Sequence, residues 1–241
     1  MGFKSRLLYL KEYASDGKNI TKVARFERHG MPYSAGQFAM LGMDGFDWKE
    51  KPGQMKWNSM SIASSPEQKD YLEFTIGIKP YFGFSQAFDE KMKVGDIINI
   101  RGPFGKFVLN EKAKRIVLVA TGTGIAPIMG MLRTIRLKKL QMPVTFFYGF
   151  RNSEFWVYRE ELKEMAFEMK NLEYLPSKSR PEAEWQGLKG HIQQHILSRE
   201  FTDVSETEAY LCGNPEMVKQ TVEALKQKGF AEENCFREVY G

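Results

Sequence analysis

The stretch Arg115-Ile-Val-Leu-Val-Ala-Thr-Gly-Thr-Gly-Ile-Ala-Pro-Ile-Met-Gly-Met-Leu-Arg133 decides how the chain is read. Ile116 to Ala120 is a short unbroken apolar run with two valines, the pattern of a strand buried on both faces. Thr121-Gly-Thr-Gly124 breaks that run, and Pro127 opens a segment, Ile128 to Leu140, whose apolar residues recur at helical spacing. Proline suits the first turn of a helix because its missing N–H has no intrahelical partner there in any case. Strand, glycine turn and helix start together aim backbone N–H groups and the positive end of a helix dipole at an anion, typically a phosphate. A tight turn without a ligand has the same local pattern, so the rest of the chain must decide.

Downstream, apolar strand runs at 116–120, 144–148, 172–176 and 208–212 alternate with helical patterns at 126–139, 155–169, 191–198 and 214–228. A short strand closes the series at 235–239. Alternation of this kind predicts an α/β domain with a five-stranded parallel sheet and helices on both faces. Ligands of such sheets sit beyond the carboxyl ends of the strands. Gly122 and Gly124 follow the first strand, Gly149-Phe-Arg151 the second, Ser177 to Arg180 the third and Cys212-Gly213 the fourth. All four fall on one edge, which favours the phosphate-turn reading over the bare turn.

Upstream, to about Leu109, the chain reads as β-rich. Ile20–Phe26, Gln37–Leu41, Ser59–Ala63, Tyr71–Lys79 and Asp96–Arg101 are short extended candidates separated by Gly, Pro, Asp and Ser signals. They predict an antiparallel β-barrel or sandwich. The shift in pattern near residue 110 places a domain boundary there, with residues 1–110 and 111–241 as the two domains. Pro176 to Gly190 is a long loop, and loops of that length are often functional.

Composition narrows the function. The 241 residues are 42% hydrophobic and 27% charged, as expected of a globular protein with a real core. No apolar stretch approaches membrane-spanning length and the N-terminus lacks a signal-peptide apolar region, so a cytoplasmic protein is expected. Two cysteines, Cys212 and Cys235, cannot form a disulfide framework or ligate an iron–sulfur cluster of the four-cysteine kind. His191 and His195 stand four apart on a helical pattern, but nothing beside them completes a metal site, so no metal is expected. The net charge of +5 suits an acidic partner or a phosphorylated ligand; basic and acidic residues interleave throughout, which argues against nucleic acid.

The nucleotide turn departs from the standard dinucleotide fingerprint. That fingerprint has a third glycine in the helix and an acid roughly 20 residues on that binds a ribose 2′-hydroxyl. Here the second strand runs into Tyr148-Gly-Phe-Arg-Asn152 without an acid, and Arg151 would tolerate a 2′-phosphate that an acid would repel. Arg151, Ser179 and Arg180 are the candidates for holding that phosphate by charge-assisted bonds, and they favour NADP over NAD.

Thr121-Gly-Thr-Gly-Ile-Ala-Pro127, Tyr158-Arg-Glu-Glu-Leu162, Cys212-Gly-Asn-Pro215 and Glu238-Val-Tyr-Gly241 in combination resemble the ferredoxin–NADP reductase family. The likeness extends into the β-rich half, where Asn58-Ser-Met-Ser-Ile-Ala-Ser-Ser65 stands in the place of the family's flavin motif. The resemblance implies an FAD-binding antiparallel barrel followed by a domain for NADP or NAD, with hydride passing between nicotinamide and flavin N5. Single electrons would pass to or from a separate ferredoxin, flavodoxin or oxygenase component. By the same resemblance, Ser61 is the motif serine near flavin N5, Cys212 the thiol beside the nicotinamide, Glu238 the carboxylate near that ring, and Tyr240 the aromatic stacked on the isoalloxazine. Thr121, Gly122, Thr123, Gly124, Pro127 and Gly213 belong to the nucleotide site. Gly83, Phe84 and Ser85 resemble the second flavin element, a backbone turn on the pyrophosphate, and Ile76 and Ile78 offer main-chain contacts on the strand before it.

The flavin motif itself departs from the pattern. The family runs Arg-x-Tyr-Ser/Thr, whereas this chain runs Asn58-Ser-Met-Ser61. An asparagine cannot supply the guanidinium's charge to a pyrophosphate oxygen, and Met60 packs more loosely than a tyrosine. Lys56 is close enough in sequence to act as a point charge. The expectation is an FAD-dependent oxidoreductase. The alternatives are a flavin-free or regulatory subunit that binds nucleotide without catalysis, and a reductase that uses loosely held flavin as substrate.

Overall fold

The computed structural model describes residues 1–15, 19–48, 51–78 and 83–239. They divide into two compact units: Met1–Leu109 with Met129–Thr134, and Asn110–Ile128 with Ile135–Gly241.

The first unit carries β1 (Gly2–Ser15), β2 (Ile20–Glu27), β3 (Phe38–Trp48), β4 (Lys51–Ser61), β5 (Tyr71–Ile78), α1 (Phe84–Lys91) and β6 (Ile97–Phe104). The strands pair antiparallel in the order β4-β3-β6-β1-β2-β5. The two ends of this sheet meet. Ile62 bridges Phe74 in antiparallel fashion, and the Ala63 N–H donates to the Glu73 carbonyl at 2.7 Å. A sheet joined at its edges in this way is a barrel. Leu7, Phe26, Leu41, Phe74, Ile98 and Ile100 fill its interior. The helix α1 adds Phe84 and Phe88, whose rings lie 6.1 Å apart, with Phe88 reaching Phe26 at 6.4 Å.

Two elements of this unit escape the sequence reading. In β1 the alternation is broken by irregularities in its pairing with β2 between Leu7 and Tyr9 and between Glu12 and Ala14, and a bulge flips the face that follows it. At eight residues α1 is too short for a sustained helical period. The strands β3 and β4 are also longer than expected, because they extend as a hairpin beyond the segments with apolar signal.

The second unit carries β7 (Arg115–Thr121), α2 (Ile125–Lys138), β8 (Val144–Phe150), α3 (Arg159–Glu168), β9 (Leu172–Lys178), β10 (Leu188–Lys189), α4 (Ile192–Ser198), β11 (Thr207–Gly213), α5 (Pro215–Gln227) and β12 (Cys235–Val239). Residues Met129–Thr134 of α2 cluster with the first unit. All strand pairs are parallel, in the order β10-β9-β8-β7-β11-β12. The five expected strands are present, and the two-residue β10 adds a sixth by pairing Leu188 and Lys189 with Ser177 and Lys178. From β7 the chain winds outward through β8, β9 and β10, then crosses to the other side of β7 for β11 and β12. That reversal puts a topological switch point between β7 and β11, the position at which open parallel sheets bind ligands.

Candidate functional site

At the switch point the backbone itself builds the site. Three strand ends lie side by side: Thr121 is in register with Gly149, and Ala120 with Cys212. Beyond Thr121 the chain makes a single 3-10 turn, Gly122–Gly124, and enters α2 at Ile125, two residues before Pro127. Gly122 has φ +54° with no atom within 4 Å of an added Cβ, so its glycine serves conformation alone. Gly124 serves proximity. A Cβ there would stand 2.4 Å from the Cys212 carbonyl oxygen and 2.7 Å from Gly213 Cα. Gly213 in turn has φ +150°, and its Cβ would lie 2.3 Å from Thr121 Oγ1. The two glycine motifs, about ninety positions apart, are therefore in backbone contact. Neither the turn nor α2 carries a side-chain cap or an acid in its first turn, which leaves the N-terminal N–H groups for an anion. Tyr148 is fully buried, with its hydroxyl 3.5 Å from the Gly122 carbonyl, and burial pushes its pKa up, so it remains a neutral donor.

The motif Cys212-Gly-Asn-Pro215 divides into two functions. Asn214 caps α5, its Oδ1 accepting from the N–H groups of Glu216 at 2.9 Å and Met217 at 3.4 Å, and Pro215 occupies the first turn. Cys212 is buried and sits in register with Glu238 on the neighbouring strand β12. In-register residues of parallel neighbours project to the same face, so the thiol and the half-buried carboxylate are adjacent. Tyr240 lies outside the described residues.

Further along the edge, the ladder between β8 and β9 continues past the strands. The Ser179 N–H donates to the Phe150 carbonyl at 3.0 Å and the Arg180 N–H to the Arg151 carbonyl at 2.9 Å. Arg151, Ser179 and Arg180 are all exposed there, with the Arg151 guanidinium 5.6 Å from the Phe155 ring. His191 precedes α4 and the His195 ring nitrogen contacts the Lys189 carbonyl at 3.0 Å, at the margin of this region.

The barrel holds the other candidate group. Asn58, Met60 and Ser61 lie on β4 opposite Leu41, Ala39 and Phe38 of β3. Ser61 is buried and Met60 packs against the barrel core. Asn58 Nδ2 is buried without a hydrogen-bond acceptor among the described residues, and a buried donor left so costs free energy unless a ligand meets it. At the stretch expected to form the second flavin element, Gly83 precedes α1 without a side-chain cap and with open space above it, while Phe84 is buried in the core. Ile76 and Ile78 also point into the core, so these three residues can offer a ligand only their main chains.

Sequence reasoning does not reveal what holds Ser61 to Pro66 in place. Glu73 is wholly buried between two arginines, its Oε2 accepting from Arg25 Nε and its Oε1 from Arg133 Nη1, both at 2.6 Å. Arg133 also donates to the Ala63 carbonyl at 2.8 Å. Burial raises the Glu73 pKa, but the charges and hydrogen bonds of Arg133 and Arg25 outweigh it and hold the carboxyl below its ordinary value. The buried Arg28 donates to the carbonyls of Met31, Pro66 and Gln68. Its guanidinium lies over the Tyr33 ring, whose hydroxyl bonds Ser64 and Ser65, and burial pushes the Tyr33 pKa up to about 12. The backbone at Gly130, which clusters with the first unit, lies close against Ile62, since a Cβ there would meet the Ile62 carbonyl oxygen at 2.8 Å. The only sequence signal for any of this would have been a lone acid, Glu73, within an apolar strand.

Comparisons with known proteins find relatives of both parts of the chain. The family model of the oxidoreductase FAD-binding domain matches residues 11–109, and that of the oxidoreductase NAD-binding domain matches residues 118–223. The anthranilate 1,2-dioxygenase electron transfer component of Acinetobacter baylyi is 28% identical over 210 residues, covering 87% of this chain and 59% of that protein. The propane 2-monooxygenase reductase component of Mycolicibacterium smegmatis is 30% identical over 191 residues, covering 77% of this chain and 53% of that protein. The chain thus spans less than two thirds of either relative. A solved ferredoxin NADP+ reductase of Neisseria gonorrhoeae with bound FAD and NADP has the same fold, at TM-score 0.81 and 24% identity over 99% of this chain and 98% of that one. Among the described residues no helix is long and apolar enough to cross a membrane.

Proposed function

We propose that this chain, which belongs to the ferredoxin–NADP reductase family of FAD- and nicotinamide-binding oxidoreductases, moves hydride between NAD(P)H and FAD and exchanges single electrons with a separate acidic carrier. That carrier would be a ferredoxin, a flavodoxin or an oxygenase component, drawn by the net charge of +5. Residues 1–110 would form the flavin domain and 111–241 the nucleotide domain of a cytoplasmic protein. The observation that carries the reading is the backbone contact of Gly124 with Cys212 and Gly213 at the switch point, with Glu238 in register beside Cys212.

Each residue then has a role that follows from its chemistry. Thr121 to Gly124 and the start of α2 near Pro127 would present N–H groups and the helix dipole to the pyrophosphate. Arg151, Ser179 and Arg180 would hold a 2′-phosphate, favouring NADPH. Cys212 and Glu238 would contact the nicotinamide, with Gly213 letting the ring approach the backbone. In the barrel, Ser61 would donate its hydroxyl at flavin N5, Met60 would pack against the ring system, and Asn58 Nδ2, without a partner among the described residues, would meet a phosphate or carbonyl oxygen. Gly83 to Ser85 would present main-chain N–H groups to the pyrophosphate, and Ile76 and Ile78 main-chain groups on β5. When bound, FAD supplies the hydride acceptor and the one-electron steps; the protein supplies position and electrostatics. The reading is tested by refolding the protein with excess FAD. Flavin absorbance and NAD(P)H-dependent reduction of an artificial acceptor are expected, and the absence of both would sink it.

A further inference from the structure

Lys178 ends β9 immediately before Ser179 and Arg180, and by residue type it counts as a third cation for a phosphate. Its geometry says otherwise. The residue is 2% exposed, and a buried ammonium persists only where it is paired. Nζ donates to Ser153 Oγ at 2.5 Å and to the Glu182 carboxylate, and lies 4.1 Å from the centre of the Trp185 ring. These partners come from two segments. Ser153 follows Arg151 by two residues on the β8 side, and Glu182 follows Arg180 by two on the β9 side. Glu182 Oε1 also accepts from the Ser153 N–H at 3.3 Å. Trp185 anchors the loop by donating to the Leu188 carbonyl at 2.8 Å and packing edge-on to Phe150 and Trp156. The absence of an acid after the second strand is thereby qualified, since the fold brings Glu182 there from the next loop. The Lys178 hydrogen bond holds the Glu182 pKa down at about 2, so the carboxylate stays ionised with a cation beside it.

We propose that Lys178 is a positioning and selectivity residue. It joins the tips of β8 and β9 so that Arg151, Ser179 and Arg180 form one anion site, and it offsets Glu182 so that a nucleotide bearing a 2′-phosphate is accepted there. This rests on the nucleotide reading above and adds residues that touch no ligand. Without the ammonium, Glu182 would face that phosphate as an unbalanced anion and the two segments would lose their link.

The test measures binding by calorimetry, without flavin turnover, using adenosine 2′,5′-bisphosphate and adenosine 5′-monophosphate as probes. Wild type should prefer the 2′-phosphorylated probe. Lys178→Met should lower affinity for that probe about tenfold and for the monophosphate much less, the loss of a charge-assisted link. Lys178→Met/Glu182→Gln should recover part of the loss, and Lys178→Arg most of it. Ser153→Ala, at an exposed position, should reproduce a few-fold version, and it decides the matter if Lys178→Met does not fold. In turnover, the change should fall on KM for NADPH rather than on kcat. If wild type binds neither probe, the nucleotide reading itself fails. If it binds both equally, acceptance of the 2′-phosphate is overturned while the nucleotide reading stands. If it prefers the bisphosphate and both Lys178→Met and Ser153→Ala keep that preference, the role of Lys178 is overturned.

Discussion

The nucleotide half and the flavin half support their candidate residues by different means. At the end of the parallel sheet the support is backbone: strand register aligns Thr121, Gly149 and Cys212, and glycines let the segments touch. In the barrel the support is side-chain charge, with Arg25 and Arg133 converging on Glu73 from distant places in the chain and Arg133 also reaching the Ala63 carbonyl. A backbone-built site announces itself through glycine and proline, whose conformational roles are local. A site propped by buried ions does not, because its members are ordinary charged residues until the fold brings them together.

The largest effect is expected where the barrel is most dependent on charge. Glu73→Ala leaves the partly exposed Arg25 and the largely buried Arg133 without their shared anion, and breaking such a group costs about 3–5 kcal/mol. Chemical denaturation should show that loss, together with weaker flavin binding as Ala63 to Ser65 loosens. The pH dependence has a fixed sign. Because the folded carboxyl is held below its ordinary value, its contribution is complete above the unfolded carboxylate pKa and disappears as pH falls through the lower folded one. The gap between wild type and Glu73→Gln should therefore narrow on acidification. A gap that widens would mean that the arginines do not govern Glu73.

In the other half the sensitive position is Gly124. An alanine there must displace the Cys212 carbonyl, which stands 2.4 Å from the new Cβ, and backbone cannot yield as a flexible side chain can. Overpacking of this kind costs about 1–3 kcal/mol, and nucleotide binding should be lost with it. Gly122→Ala meets no atom within 4 Å and bears only the left-handed backbone, about 1–2 kcal/mol. Thermal melts of the pair separate contact from conformation; equal shifts would contradict the close approach. Smaller again is Arg180→Ala. On the proposed role, losing one charge-assisted bond to the 2′-phosphate should raise KM for NADPH about tenfold and leave NADH nearly unchanged. Equal rates with both nucleotides in wild type would remove the basis for that contrast.

These differences follow what was legible beforehand. The order of strands and helices after Arg115 could be read from apolar runs, and so could the shared edge of the four special sequences. The register of Cys212 with Glu238 could not, since it depends on β12 pairing with β11 rather than on any local pattern. Asn214 and Pro215 carried a motif resemblance, yet their work is to start α5. In the barrel, β1 was hidden by its irregular pairing and Glu73 by its apolar neighbours. Lys178 was legible as a charge, but its burial could not be read. Local signals reported the backbone geometry of the parallel-sheet half; the irregular β1 and the clustering of side chains required the tertiary fold.

Asn58→Arg joins the two halves of the comparison, because it gives the flavin motif a charge for phosphate, the feature proposed for Arg151 and Arg180 in the nucleotide half. The smallest effect is expected here, for a physical reason. Among the described residues Asn58 Nδ2 is buried without a partner, so a bound FAD oxygen that met it would relieve an existing cost of about 1–3 kcal/mol, and the asparagine would not be a mere vacancy. The guanidinium would add charge but must find space beside Leu41 on β3, and overpacking would offset part of the gain. A few-fold tightening of FAD binding is the expected balance, read by flavin fluorescence titration. A gain of several hundredfold would mean that Asn58 contributes nothing and that the wild-type clamp is absent. A loss would mean that the Nδ2 contact is already the better solution in this barrel, with the rest of the clamp supplied by main-chain groups at Gly83 to Ser85.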